Sequence, residues 1–174
     1  NFFNIGANSS AKNPALAGLV YASGGSKDVI VNGGSSSSPS IDNDEANMLA
    51  KLGASVNAGC LQNLTVGTTI GTIKSKLSGY TVTINASDND IIKTGQEITI
   101  TDGKKTYKYI IAVKGDVDGD GKLGATDYVK IKNYIMEKSG SELSTPASIA
   151  ADVDGDGNIK ATDYVRIKNS IMEW

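Results

Sequence analysis

At 174 residues the chain has room for one domain or two small ones. Charged residues make up 21% and the formal net charge is −2, which argues against nucleic acid or an anionic membrane surface as partner. No apolar run approaches the roughly 18 residues of a membrane span, the lone Cys60 excludes an intrachain disulfide, and the absence of His removes Ser–His and Cys–His catalysis.

Residues 1–22, NFFNIGANSSAKNPALAGLVYA, hold two Phe, an apolar patch from Leu16 to Tyr21, and too little mass to bury a core. They read as a short strand or turn followed by a short helix. The stretch Asn1-Phe2-Phe3-Asn4-Ile5-Gly6-Ala7 resembles the closing segment of glucosaminidase-type peptidoglycan hydrolases. That resemblance implies that 1–22 is the remnant of an upstream catalytic domain whose catalytic Glu precedes Asn1. A start at Asn1 without Met fits a processed or excised piece.

Residues 23–45, with SGGSK, NGGSSSSPS and DNDE, are a Gly/Ser-rich linker that marks a domain boundary. Val29–Val31 is a candidate lone strand.

Residues 46–114 read as a small, mostly-β accessory module. Ala46–Leu52 is a candidate short helix, Leu61–Val66 a strand, and Thr69–Leu77 a helix with Ile70, Ile73 and Leu77 on one face. Tyr80–Ile84 alternates as a strand, and Glu97–Thr101 pairs with Thr106–Val113 across the hairpin signal Asp102-Gly103. The expectation is an α+β module of about four strands and one helix. Its single-Trp chain offers no aromatic row as a sugar platform, so carbohydrate binding there has no support.

The C-terminal third repeats itself. DVDGDG occurs at 116–121 and again 36 residues later at 152–157, and each copy runs into a matching continuation, KLGATDYVKIKNYIME or NIKATDYVRIKNSIME. Each loop places Asp at positions 1, 3 and 5, Gly at 6, and Asp at 12: Asp116, Asp118, Asp120 and Asp127, then Asp152, Asp154, Asp156 and Asp163. This is the EF-hand calcium-loop pattern with Asp in place of Glu at the end. A hard divalent cation takes six to eight oxygens at roughly 2.3–2.6 Å, and alternate residues of a tight turn point inward. The seventh positions, Lys122 and Asn158, supply a backbone carbonyl. The twelfth carboxylate is expected to ligate from the first turn of the helix. One such loop alone could be an Asp/Gly-rich surface turn; two in register, each before a matched helix, leave that reading negligible. Calcium suits the set better than zinc or copper, which prefer nitrogen and sulfur, and better than magnesium, which suits an all-protein cage poorly. Segment 115–174 carries eight Asp and three Glu against six Lys and one Arg, a balance of −4 that two Ca²⁺ neutralise.

After each loop an apolar stripe follows at helical period, Tyr128, Ile131 and Ile135, then Tyr164, Ile167 and Ile171, with Val129, Met136, Val165 and Met172 flanking. Gly140 is the expected stop of the first helix. A strand, not a helix, enters the first loop, so each unit is expected to be loop–helix, and 115–174 an all-α domain.

This duplicated loop–helix resembles a type I dockerin, the calcium module that docks secreted enzymes onto cohesins of a scaffold or cell surface, as in a cellulosome. The resemblance implies two calcium ions, extracellular or cell-wall localisation, and a paired-helix face toward a cohesin. The partner-binding positions it implies are Ala125, Thr126, Lys132 and Asn133 in one copy and Ala161, Thr162, Lys168 and Asn169 in the other. Ala and Asn there depart from the Ser-Thr and Lys-Arg common in the family, so no particular cohesin follows. The expected function is a non-catalytic docking region of a secreted bacterial glycan-degrading enzyme. The alternative left open is the C-terminal part of a peptidoglycan or glycoside hydrolase whose catalytic domain is upstream, its accessory module binding cell wall or carbohydrate. Outside the loops, the carboxylates Asp28, Asp42, Asp44, Glu45, Asp88, Asp90, Glu97 and Asp102 lie in turn or linker sequence, which gives no cleft for glycosidic acid–base chemistry.

Overall fold

The structure, a computed structural model, describes residues 42–173. The 1–22 segment, the linker up to Ile41 and Trp174 lie outside the described residues.

Helix α1 spans Asn43–Leu52 and starts three residues before the expected Ala46, because Asp42 caps it: its Oδ1 accepts from the Glu45 N–H at 2.8 Å. Gly53, at φ 69°, ends it in the left-handed region. Strands β1 (Ser55–Asn57) and β2 (Cys60–Thr65) form a hairpin around Ala58-Gly59, both at positive φ. Helix α2 (Ile70–Lys76) is capped by the Thr69 hydroxyl, which accepts from the Thr72 N–H at 3.2 Å. Strands β3 (Thr81–Thr83), β4 (Glu97–Thr101) and β5 (Thr106–Lys114) complete one sheet in the order β1-β2-β5-β4-β3. Among the described strands only β2 and β5 pair in parallel. Asn63, at φ 67°, sits where their register slips between Leu61 and Leu64.

The alternation in β5 decides which face is covered. Tyr107, Tyr109, Ile111 and Val113 stand opposite Ile100, Ile98, Leu61 and Leu64 and share a core with Met48, Leu49 and Leu52 of α1 and Ile70, Ile73 and Leu77 at α2. Burial of a side chain of this size contributes about 1.5–3 kcal/mol, so this core fixes the sheet. Tyr109 donates its O–H to Glu45 Oε1 at 2.6 Å, and Lys105 pairs with Asp42 and Asp44 at 3.0 and 2.9 Å, tying α1 to the β4–β5 hairpin.

Beyond β5 come α3 (Ala125–Ile135), α4 (Thr145–Ala151) and α5 (Ala161–Met172). Ile131 and Ile167, both fully buried, form a second core with Val117, Ala147 and Ala151. Tyr128 stacks on Tyr164 with ring centroids 4.5 Å apart at 27°, and their hydroxyls hydrogen-bond. Tyr128 and Tyr164, equivalent positions of the two copies, thus meet each other across α3 and α5. Glu137, at φ 50°, ends α3 before Gly140, and the Lys138 N–H returns to Asn133 O at 3.1 Å.

The expected fold class, a mostly-β module with one helix followed by an all-α duplicated domain, is corrected. The sheet has five strands and two helices accompany it. The calcium-loop region is not a separate all-α body: β5 runs to Lys114, and α4 packs on β5 and β2 while the Gly115 N–H donates to Ala150 O at 2.9 Å. The second unit is also helix–loop–helix, since α4 ends at Ala151 and Asp152 follows. Small side chains let α4 fit there: Ala150 and Ala151 are buried.

Candidate metal centre

Both acidic loops turn their carboxylates together. Ligand-competent oxygens of Asp116, Asp118 and Asp120 lie within 4.8 Å of one another, and the same holds for Asp152, Asp154 and Asp156. Positive φ at Gly119 and Gly121 (80° and 83°) and at Gly155 and Gly157 (77° and 83°) makes the turns tight enough for this. Asp120 Oδ1 accepts from the Lys122 N–H at 2.7 Å and Asp156 Oδ1 from the Asn158 N–H at 2.8 Å, so the same turn closes at each seventh position. The Lys122 and Asn158 side chains are exposed.

Asp127 and Asp163 are buried and face the backbone. Oδ1 of Asp127 accepts from the N–H groups of Val117 and Asp118 at 2.7 and 3.0 Å, and Oδ2 from Gly124 at 2.8 Å. Asp163 repeats this with Val153, Asp154 and Lys160 at 2.8, 3.1 and 2.9 Å. These carboxylates bind loop to helix and close the first helical turn, the returning half of a capping box. Burial pushes the Asp127 carboxyl above the usual carboxylate range, against the pull of the three N–H donors. Asp156 is held lower, chiefly by the Lys160 ammonium 3.1 Å away and by the Asn158 N–H.

The donor set is all oxygen, and Asp116 is fully buried with only N–H partners, its charge unpaired by any cation among the described residues. A hard cation fits such a set. Asp116, Asp118 and Asp120 would hold one ion and Asp152, Asp154 and Asp156 the other.

The two loops differ in what surrounds them. Asp152 is held by its own loop: Oδ1 accepts from Gly155 and Asp156, and Oδ2 from Gly157 at 2.8 Å. Asp116 Oδ1 accepts from Gly119 at 2.9 Å, but Oδ2 accepts from the Thr94 N–H of the module at 2.8 Å. Sequence reasoning missed Thr94, because a contact 22 residues away leaves no periodic or local trace.

The positions named for partner binding fall on the outer faces of α3 and α5. Ala125, Thr126, Lys132, Ala161, Thr162, Lys168 and Asn169 are exposed, and Asn133 is half-buried. Val129 and Val165 are each 47% exposed, and Met136 and Met172 are exposed beside them.

A duplicated, all-oxygen loop followed in each copy by a helix is the arrangement of a module that could hold two hard cations. Residues 114–172 match the family model of the dockerin type I domain, and this stretch of the chain is a type I dockerin module, a non-catalytic one. No curated protein and no solved structure matches the chain.

Proposed function

We propose that the chain is the calcium-dependent docking region of a secreted bacterial glycan-degrading protein, attaching it through α3 and α5 to a cohesin on a scaffold or cell surface. The observation that carries this reading is the matched pair of exposed apolar positions on a paired-helix face. Val129 and Val165 repeat to the same exposure, Met136 and Met172 extend the row, and Lys132 and Lys168 flank it. An unpartnered apolar row rimmed by polar residues suits a protein interface.

Bound calcium neutralises the loop carboxylates and lets them stay together. The chain's own residues do the rest: Asp127 and Asp163 lock each loop to its helix, and Ile131, Ile167 and the tyrosine pair set the helices against each other. No helix among the described residues is long and apolar enough to cross a membrane, and the docking reading needs none.

The test is capture of the full chain by a panel of immobilised cohesins at about 1 mM calcium, the range where extracellular sites fill. Capture lost in EDTA, and lost with Val129→Asp and Val165→Asp together, supports docking through this face. Capture indifferent to both contradicts it.

A further inference from the structure

Among the described residues, the glycines of the first loop are crowded by the module before the dockerin and those of the second are not. Gly119 and Gly121 of the first loop abut the segment Ile91–Thr94. A Cβ on Gly119 would lie 2.9 Å from Thr94 O, and one on Gly121 would lie 2.8 Å from Ile91 Cδ1 and 2.9 Å from Ile92 O. Gly155 and Gly157, their repeat mates, have nothing within 4 Å. The segment is itself fixed: Ile92 is fully buried in the sheet core and donates its N–H to Thr68 O at 2.9 Å. Thr94 Oγ1 accepts from the Val113 N–H at 3.0 Å, at the end of β5.

We propose that Thr94 is a positioning residue of the first calcium site, its N–H presetting the Asp116 carboxylate so that this site binds calcium more tightly than the second. The proposal rests on the calcium reading above. It follows from the cost of gathering like-charged carboxylates before an ion arrives. In the second loop the N–H donors to Asp152 all belong to its own turn, so its placement depends on that turn staying closed. In the first loop one donor, the Thr94 N–H, lies outside the turn on a segment anchored in the sheet core by Ile92, so Asp116 keeps a partner that does not depend on the turn. Affinity in such loops follows ligand charge and site rigidity. Partners that orient a metal's ligands typically change affinity by about 10–100-fold when removed. The accessory module is, on this account, part of a metal site as well as a spacer.

The experiment uses two full-length chains. One keeps only the first site, through Asp154→Ala with Asp156→Ala. The other keeps only the second, through Asp118→Ala with Asp120→Ala. Calorimetric calcium titration should give the first-site chain about tenfold higher affinity or more. Thr94→Pro, which deletes the N–H, should lower the first-site affinity about tenfold and leave the second unchanged. Thr94→Val, which keeps the N–H, should restore it. Equal affinities, or a Thr94→Pro loss shared by both chains, overturns the proposal. Amide exchange of unsubstituted Thr94 provides a readout independent of folding defects: its protection should rise when the first site fills and not when only the second does. No change at that amide also overturns it. If neither chain binds calcium, the calcium reading itself fails, a result distinct from equal binding.

Discussion

Gly121→Ala and Gly157→Ala form a matched pair that separates backbone strain from packing. Both glycines sit at φ +83°, so an alanine costs about 1–2 kcal/mol at either position for the left-handed backbone alone. At 157 nothing lies within 4 Å of the new methyl, and the cost ends there. At 121 the methyl would stand 2.9 Å from Ile92 O, a backbone atom pinned by the sheet core, and 2.8 Å from Ile91 Cδ1. The Ile91 side chain can swing aside; the carbonyl cannot. Overpacking of this kind adds about 1–3 kcal/mol, so Gly121→Ala should be the more destabilising by that margin. Gly119→Ala against Gly155→Ala repeats the comparison, at φ +80° and +77°, with Thr94 O 2.9 Å from the first methyl and open space at the second. Urea denaturation of the calcium-saturated chain gives the four values. Equal costs within about 0.5 kcal/mol, the usual spread for surface substitutions, would refute the packing of the first loop against Ile91–Thr94.

Three more expectations follow from particular contacts. Ile131→Ala and Ile167→Ala each remove a fully buried side chain from the core between α3 and α5 and should cost about 2–5 kcal/mol by denaturation at saturating calcium. Tyr109→Phe removes the 2.6 Å hydrogen bond to Glu45 and should cost about 1.5 kcal/mol, the lower end for a bond to a charged group because it is only partly buried. Burial raises the Tyr109 hydroxyl well above its ordinary value of 10.0, so its stabilisation is complete below that pH and fades as pH rises further; absorbance titration should show one tyrosine ionising last, with unfolding. Asp42 is held below 3.8, first by the Glu45 N–H and then by Lys105, so its contribution is present above that value and is lost as pH falls through the lowered one. Asp42→Ala, which removes the helix cap, should lower the melting temperature and flatten that acid limb in a melting-temperature series against pH.

How much of this was legible in the sequence depended on the range of each interaction. The Asp and Gly spacing of the loops is local chemistry, and the structure gathers the first, third and fifth carboxylates of each copy. The 3.6 and 2 periods also spoke clearly: α2 lies one residue inside Thr69–Leu77 at each end, and β4 spans Glu97–Thr101 as read. Ser55–Asn57 was missed because its turn uses Ala58 at φ 48°, where Asn or Asp would have signalled a hairpin. Helix α4 was missed because TPASIAA carries one large apolar residue, and small side chains that fit against a sheet leave no amphipathic stripe. That omission also produced the loop–helix and all-α expectations. Spacing alone marks the twelfth carboxylates, Asp127 and Asp163, as ligands; that each also accepts three backbone N–H groups is visible only in the structure. Only tertiary structure could reveal the Thr94 contact with Asp116.

Native mass spectrometry of the full chain, desalted from about 1 mM calcium, bears most directly on the central claim. Two retained calcium ions per chain are expected, falling to one with either acidic triad replaced by alanine and to none with both. A chain that retains no calcium, or retains the same number after both triads are removed, would contradict the account.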